Sequence, residues 1–424
     1  MSHKTDLTPS RPSQLPAIMP LRQQSSLITE LVRGRLDRIL PGAMRDAGLE
    51  MWIILCQEDN PDPVFSTMIP MDNWCPILSM LVFVDEGDRI RRYNIAGVDT
   101  KDLFERPYIG QLEEKQWPVL LSLIEQRDPK TIGINIGSVA WAAGGLTQNL
   151  CTQLLARIPE RFRGRLVSAE KAAVRWCSTL TEQETVLFKR VTELGQYMIS
   201  QCFHAGAITP GVTTIDDLVW HYWQHAKDIG LDISFRPYFR IHRDQRETAY
   251  PLNVVAPGDL LHCDVGIKYL RLISDHQHLA YVPRRGETEV PAGLRQRLTD
   301  TLRLQDVYLA EFRHGISGND LQQNILRRAR AEGISAPKVY SHNLGLFLHQ
   351  PGPLIGLPWE QENPLPRGEV TLEYNSAFVM ELSTEGPVPE WGGQQLVLAT
   401  EEPVLFTREG CRTLCPRQTE FYII

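Results

Sequence analysis

Four acidic residues stand inside stretches that otherwise read as buried strand, and a carboxylate in a core strand is costly unless something pairs it. Asp264 lies in LLHCDVGI, Asp275 in YLRLISDHQHLAYV, Glu381 in AFVMEL, and Glu401, followed by Glu402, in LVLATEEPVLFT. Asp264 and Asp275 are eleven residues apart, with a turn expected around Lys268–Tyr269–Leu270. Two strands joined by so short a hairpin bring their carboxylates within a few ångströms, where like charges repel or force one group to keep its proton. A shared cation removes both difficulties. Taken alone, the two aspartates fit a plainer reading equally well, in which one caps a turn and the other pairs with an arginine.

His349, in YSHNLGLFLHQPGPLIG, adds an imidazole to the acids. Oxygen and nitrogen donors together suit manganese, cobalt, iron or zinc, not a thiolate site. The eight cysteines agree, since Cys411 and Cys415 have no second pair nearby to complete a zinc site. They read as reduced thiols, which fits a cytoplasmic protein. His221 and His225 have the i, i+4 spacing of a zinc pair, but the segment HYWQH lacks the glutamate of the H-E-x-x-H helix. Neither a phosphate-binding glycine pattern nor a G-x-S-x-G elbow is present.

The remaining sequence sets the frame. A net charge of -7 with no dense Lys/Arg run excludes a nucleic-acid partner. The polar, proline-rich start has no apolar core of a signal peptide, and no run of about 18 apolar residues predicts a membrane span. A short N-terminal arm is expected over 1–25. Strand-like runs at 51–57, 77–95 and 130–136 alternate with helical ones, which predicts an α/β domain over 26–174. The texture then changes. Thr181 precedes Glu184 by three residues, a capping-box start for one long helix, and IDDLVWHYWQHAKDIGLD predicts a second. Helices interleaved with antiparallel strands predict an α+β domain over 175–424.

The acids and the histidine, in this order, resemble the M24 peptidases: methionine aminopeptidase, Xaa-Pro aminopeptidase, prolidase and the non-peptidase creatinase. The segments that carry the likeness are Asp264-Val265-Gly266, Ser274-Asp275, His349-Gln350-Pro351-Gly352, Phe378-Val379-Met380-Glu381 and the Glu401–Thr407 strand. TEQETVLFK and ITPGVTTIDDL look like the family's entry helix and its turn. The resemblance implies a pita-bread C-terminal domain and a creatinase- or prolidase-like N-terminal one. It implies two divalent metal ions, manganese first, with cobalt, zinc or iron as alternatives. Asp264 would chelate one ion, Asp275 and Glu401 would bridge both, and His349 and Glu381 would bind the other. A bridging hydroxide would attack the carbonyl, and Glu381 would pass a proton to the leaving amine. The implied activity is a metallopeptidase acting on short peptides at an Xaa-Pro bond, as aminopeptidase or dipeptidase, in a homodimer.

The chain departs from the family at three places, the first at the metal histidine, where the family has His-Gly and the chain reads His349-Gln350-Pro351. Family peptidases carry a second histidine seven residues after the metal histidine, and position 356 is Gly356. His342, seven before His349, and His242, upstream of the metal strands, are the candidates for substrate contact. After Asp275 the chain reads His276-Gln277-His278 where the family has an arginine. His262, two residues before Asp264, shares that residue's strand face and either bonds to the ligand shell or simply packs. Two rival readings stay open: a creatinase-like hydrolase of another small amide, and a peptidase-like binding module without catalysis.

Overall fold

The apolar run MWIILCQ forms the strand Met51–Gln57 at the centre of a six-stranded sheet. The sheet belongs to a computed structural model that describes residues 7–137 and 141–424. The chain divides into two units: Met19–Glu184 with Gln350–Gly352, and the chain through Ile18 with Thr185–His349 and Pro353–Ile424.

In the N-terminal unit the strands lie in the order Glu105–Tyr108, Ile90–Ile95, Leu78–Asp85, Met51–Gln57, Ile132–Ile134 and Leu166–Ser168. Met51–Gln57 pairs antiparallel with Leu78–Asp85 and parallel with Ile132–Ile134. Period-two alternation sends Met51, Ile53 and Leu55 to one face, where they pack with Trp117, Leu120 and Ile124 of the helix Glu113–Arg127 and with Leu150 and Leu154 of the helix Gln148–Arg157. The edge strand Glu105–Tyr108 and the helix Pro63–Met68 are not predicted by apolar periodicity. The strand is short and half exposed, and the helix begins on the Asp62 cap, whose carboxylate accepts from Val64 N at 2.8 Å.

The long helix Glu182–Cys202 starts on the capping box the sequence predicts: Glu184 N donates to Thr181 Oγ1 at 3.2 Å, and Thr181 N to Glu184 Oε2 at 2.8 Å. In the C-terminal unit, Ile215–Asp228 is the second predicted helix, capped reciprocally by Thr214 and Asp217. The main sheet runs Leu354–Ile355, Lys338–Leu344, Ser376–Val388, Gln394–Thr407, His276–Tyr281, Leu260–Val265 and Tyr238–His242. Its even-numbered positions Phe378, Met380, Leu382, Val404 and Phe406 pack on Leu304 and Tyr308 of the helix Ala292–Glu311, on Phe312 just beyond it, and on Leu321 and Ile325 of the helix Gly318–Ala331. The odd-numbered positions of these strands face the other way, and the candidate site lies there.

The first six residues of the arm expected over 1–25 lie outside the described residues. Ser10 and Ser13, from the rest of it, hydrogen-bond within the C-terminal unit, to Ile423 and Ser200. The helix Leu21–Arg38 follows. Among the described residues no helix is long and apolar enough to cross a membrane.

Candidate metal centre

One register row crosses six strands. Tyr340 stands opposite Glu381, Glu381 opposite Glu401, Glu401 opposite Gln277, Gln277 opposite Asp264, and Asp264 opposite Tyr238. Three of the four acids therefore share one face and one level of the sheet, and Asp275 stands two residues before Gln277 on the same run. Gly266 allows the two aspartate-bearing segments to approach: a Cβ there would sit 2.2 Å from the Ser274 carbonyl oxygen. The hairpin between them turns at Leu270 and Arg271, with φ of 51° and 66°, the left-handed pair that a two-residue hairpin loop requires.

Asp275, Glu401 and His342 each offer a ligand atom within 4.8 Å of the others, and all three are buried. His342 Nε2 lies 3.7 Å from Asp275 Oδ2. Asp275 Oδ1 and Glu401 Oε1 are buried with no hydrogen-bond partner. Buried carboxylate oxygens are rarely left in that state, and a divalent cation is the partner their chemistry fits. Burial raises all four carboxyls. Asp264 is pushed up to about 7 and Glu381, beside Asp264, to about 8. Asp275 and Glu401 rise well above the usual range, from burial first and then from the neighbouring carboxylates. Without a cation the cluster holds protons; with one it can release them.

The geometry separates the two histidines. His342 is 1% exposed, and burial pushes its ring down to about 3, which leaves it neutral and able to ligate. His349 is an exposed residue outside the three-residue group, its ring centroid 4.3 Å from that of His342 in an edge-on arrangement. Gly356 has φ of 72°, and a Cβ there would lie 2.3 Å from the Val339 carbonyl oxygen, so no histidine fits at that position. His242 stands off the acid row; its ring is 6.2 Å from that of His262.

Of the two readings open for His262, a hydrogen bond or plain packing, the structure has a hydrogen bond, to Gln277 and not to Asp264: its Nε2 lies 2.9 Å from Gln277 Oε1. Gln277 Nε2 in turn donates to Glu401 Oε2 at 3.1 Å. In the sequence Gln277 stands out only as a departure from the family; its place two residues after Asp275 is the signal that puts it on the site face. Glu402 points to the opposite face, where it accepts from His278 Nε2 at 2.9 Å and Gln418 N at 2.8 Å. Although burial works against it, the His278 ring holds Glu402 below its ordinary value. His221 and His225 bond to the Gln201 carbonyl and the Tyr197 hydroxyl, each at 3.0 Å.

Residues 187–401, half of the chain, match the model of metallopeptidase family M24. The chain belongs to metallopeptidase family M24. The match contains Asp264, Asp275, His342, His349, Glu381 and Glu401. Among solved structures, an X-Pro aminopeptidase from Thermotoga maritima is 16% identical with a TM-score of 0.66, over 90% of this chain and 100% of that one. A Xaa-Pro dipeptidase from Bacillus anthracis is 13% identical with a TM-score of 0.62, over 94% and 100%. The N-terminal domain of the FACT complex subunit SPT16 from chickpea is 10% identical with a TM-score of 0.59, over 91% and 96%. No curated protein matches the sequence. The fold is thus the pita-bread fold of M24, with an N-terminal α/β unit, as the resemblance implied, and the enzyme class is metallopeptidase.

Proposed function

We propose that this M24 chain is a two-ion hydrolase of short peptides that cleaves at an Xaa-Pro bond, as an aminopeptidase or a dipeptidase. The observation that carries it is the pair of buried, partnerless carboxylate oxygens on Asp275 and Glu401 beside the His342 ring. The likeness to an X-Pro aminopeptidase and a Xaa-Pro dipeptidase over nearly the whole of each chain supports the Xaa-Pro choice.

Asp264 would hold one ion, Asp275 and Glu401 both, and Glu381 with a histidine the other. The sequence expectation gave that histidine as His349; the burial and grouping of His342 support exchanging the two roles. His342-Asn343-Leu344-Gly345 also fits the H-x-x-G pattern, and His349 then falls seven residues after the ligand, where the family carries its second histidine. The departure noted at Gly356 disappears with the exchange. His349, exposed beside His342, would contact the substrate. Divalent ions in such a site lower the pKa of water and stabilise negative charge on a carbonyl oxygen. Glu381 would take up the proton that the attacking water gives up and pass it to the leaving amine.

The test is ion analysis with a hydrolysis assay on the purified chain, using manganese, cobalt, zinc and iron, a panel of Xaa-Pro peptides, and creatine. Two ions per chain and turnover of an Xaa-Pro peptide are expected. His342→Ala should lose ion binding, while His349→Ala should keep the ions and lose turnover. Stoichiometric ions without turnover on any peptide would make the chain a recognition module. The reverse behaviour of the two variants would return the ligand role to His349.

A further inference from the structure

Gln277 is 3% exposed and sits between two acid-bearing strands, opposite Asp264 on one side and Glu401 on the other. A leucine of similar volume would bury there at lower cost, because an amide must find partners for both of its ends. Gln277 finds two. A carboxylate that ligates a cation is ionised and accepts only, so the amide nitrogen must face Glu401 and the amide oxygen must face His262. His262 Nε2 must then carry the hydrogen. Its Nδ1 is buried without a partner, so the bond to Gln277 is what fixes the ring.

We propose that His262 and Gln277 form a positioning pair: the His262 Nε2–H orients the Gln277 amide, and the amide N–H holds the Glu401 carboxylate in the rotamer that ligates metal. This rests on the reading of Glu401 as a metal ligand. Partners behind a ligand are ordinarily carboxylates, backbone carbonyls or water, and losing one costs roughly 10–100-fold in metal affinity or activity. A neutral amide backed by a neutral imidazole fixes Glu401 without adding a fifth carboxylate to the cluster. Neither side chain touches the substrate in this scheme, and neither moves a proton.

The test is Mn2+ affinity measured by competition calorimetry, with the electron paramagnetic resonance spectrum of bound Mn2+ and a thermal melt for each variant. Gln277→Leu and His262→Phe should each weaken Mn2+ binding by roughly 10–100-fold and alter the spectrum. Because the two residues act in series, the double variant should be no weaker than Gln277→Leu alone. His262→Gln, which can still donate to the amide, should recover most of the loss. Unchanged Mn2+ affinity in Gln277→Leu with a native melt overturns the proposal, as do losses that add in the double variant. Wild type that binds Mn2+ but cleaves no peptide would defeat the hydrolase reading, while the ranking of affinities would still decide the positioning pair. Wild type that binds no Mn2+ overturns both.

Discussion

Glu184 and Glu401 are hidden to nearly the same degree, 2% and 1% exposed, yet their surroundings have opposite character. Glu184, in the N-terminal unit, accepts from Arg35 Nη1 at 2.9 Å and from Thr181 N at 2.8 Å. Arg35 is itself buried, donates to the Thr179 and Trp176 carbonyls, and lies 4.7 Å from the Trp176 ring centroid. Glu401, in the C-terminal unit, has one oxygen held by Gln277 and the other held by nothing, and its neighbours Asp275, Glu381 and Asp264 are acids. Asp259 follows the first pattern within the same unit as Glu401: Arg243 grips both its oxygens at 2.7 Å. Buried acids in this chain are thus closed off by arginine and backbone where they serve the fold. Histidine does the same for Glu402, and among the described residues the buried carboxylate oxygens without a hydrogen-bond partner, on Asp275 and Glu401, lie on the face where the M24 metal ligands are expected.

The largest expected effect breaks the open cluster. Asp275→Asn or Glu401→Gln keeps the shape and removes the charge that holds an ion. Turnover should fall on the order of a thousandfold, the scale of losing an electrostatic group at a reacting centre. The metal-free variants should melt no lower than metal-free wild type, because a neutral amide takes the place of a carboxyl that burial already favours in its protonated form. Peptidase assays and paired thermal melts read both halves. Retained turnover, or a drop in the metal-free melting temperature of several degrees, would place these acids with Glu184 as parts of the fold.

The closed pair should behave the other way. Arg35→Met leaves Glu184 buried without its cation, at a cost of about 3–5 kcal/mol to folding. Replacing both, as Arg35→Met with Glu184→Leu, should return much of that loss, because well-packed apolar residues often replace a buried ion pair without penalty. Equilibrium denaturation measures the two variants. A single variant as stable as wild type would show that Arg35 contributes little, and the contrast with Glu401 would lose its meaning.

Much of this contrast is legible before any coordinates. Acids inside AFVMEL and LLHCDVGI stand out because charge and burial conflict, and Thr181 with Glu184 stands out because a capping box has a fixed spacing. Period-two alternation also separates Glu401 from Glu402, once the strand is known to have a helix-covered face. The choice between His342 and His349 is not legible in that way. Each begins an H-x-x-G segment, and the two are seven residues apart. What distinguishes them is burial, which depends on how the Lys338–Leu344 strand pairs with Ser376–Val388. Gln277 carries no charge to conflict with its burial, so a sequence reading passes over it. The edge strand Glu105–Tyr108 is missed for a related reason: with one face open to water it has no apolar run to announce it.

The smallest effect concerns pH, and it sharpens the comparison by sign. Asp264 and Glu381 bind their protons more tightly in the folded chain, at about 7 and about 8, than carboxyls do when unfolded, near 4. The stability that goes with those protons is fully present below the unfolded values. It is lost as pH rises through the folded ones, because the folded state then binds more protons than the unfolded state. Metal-free protein should therefore melt at progressively lower temperature from about pH 5 to about pH 8. Divalent ions compete for the same oxygens, so Mn2+ affinity should climb over that interval, and saturating Mn2+ should flatten or reverse the trend. Thermal melts at several pH values, with and without Mn2+, give the sign directly. A metal-free melting temperature that rises with pH would mean that these carboxylates are held by cationic partners, as Glu184 is, and the distinction between the two kinds of buried acid would fail.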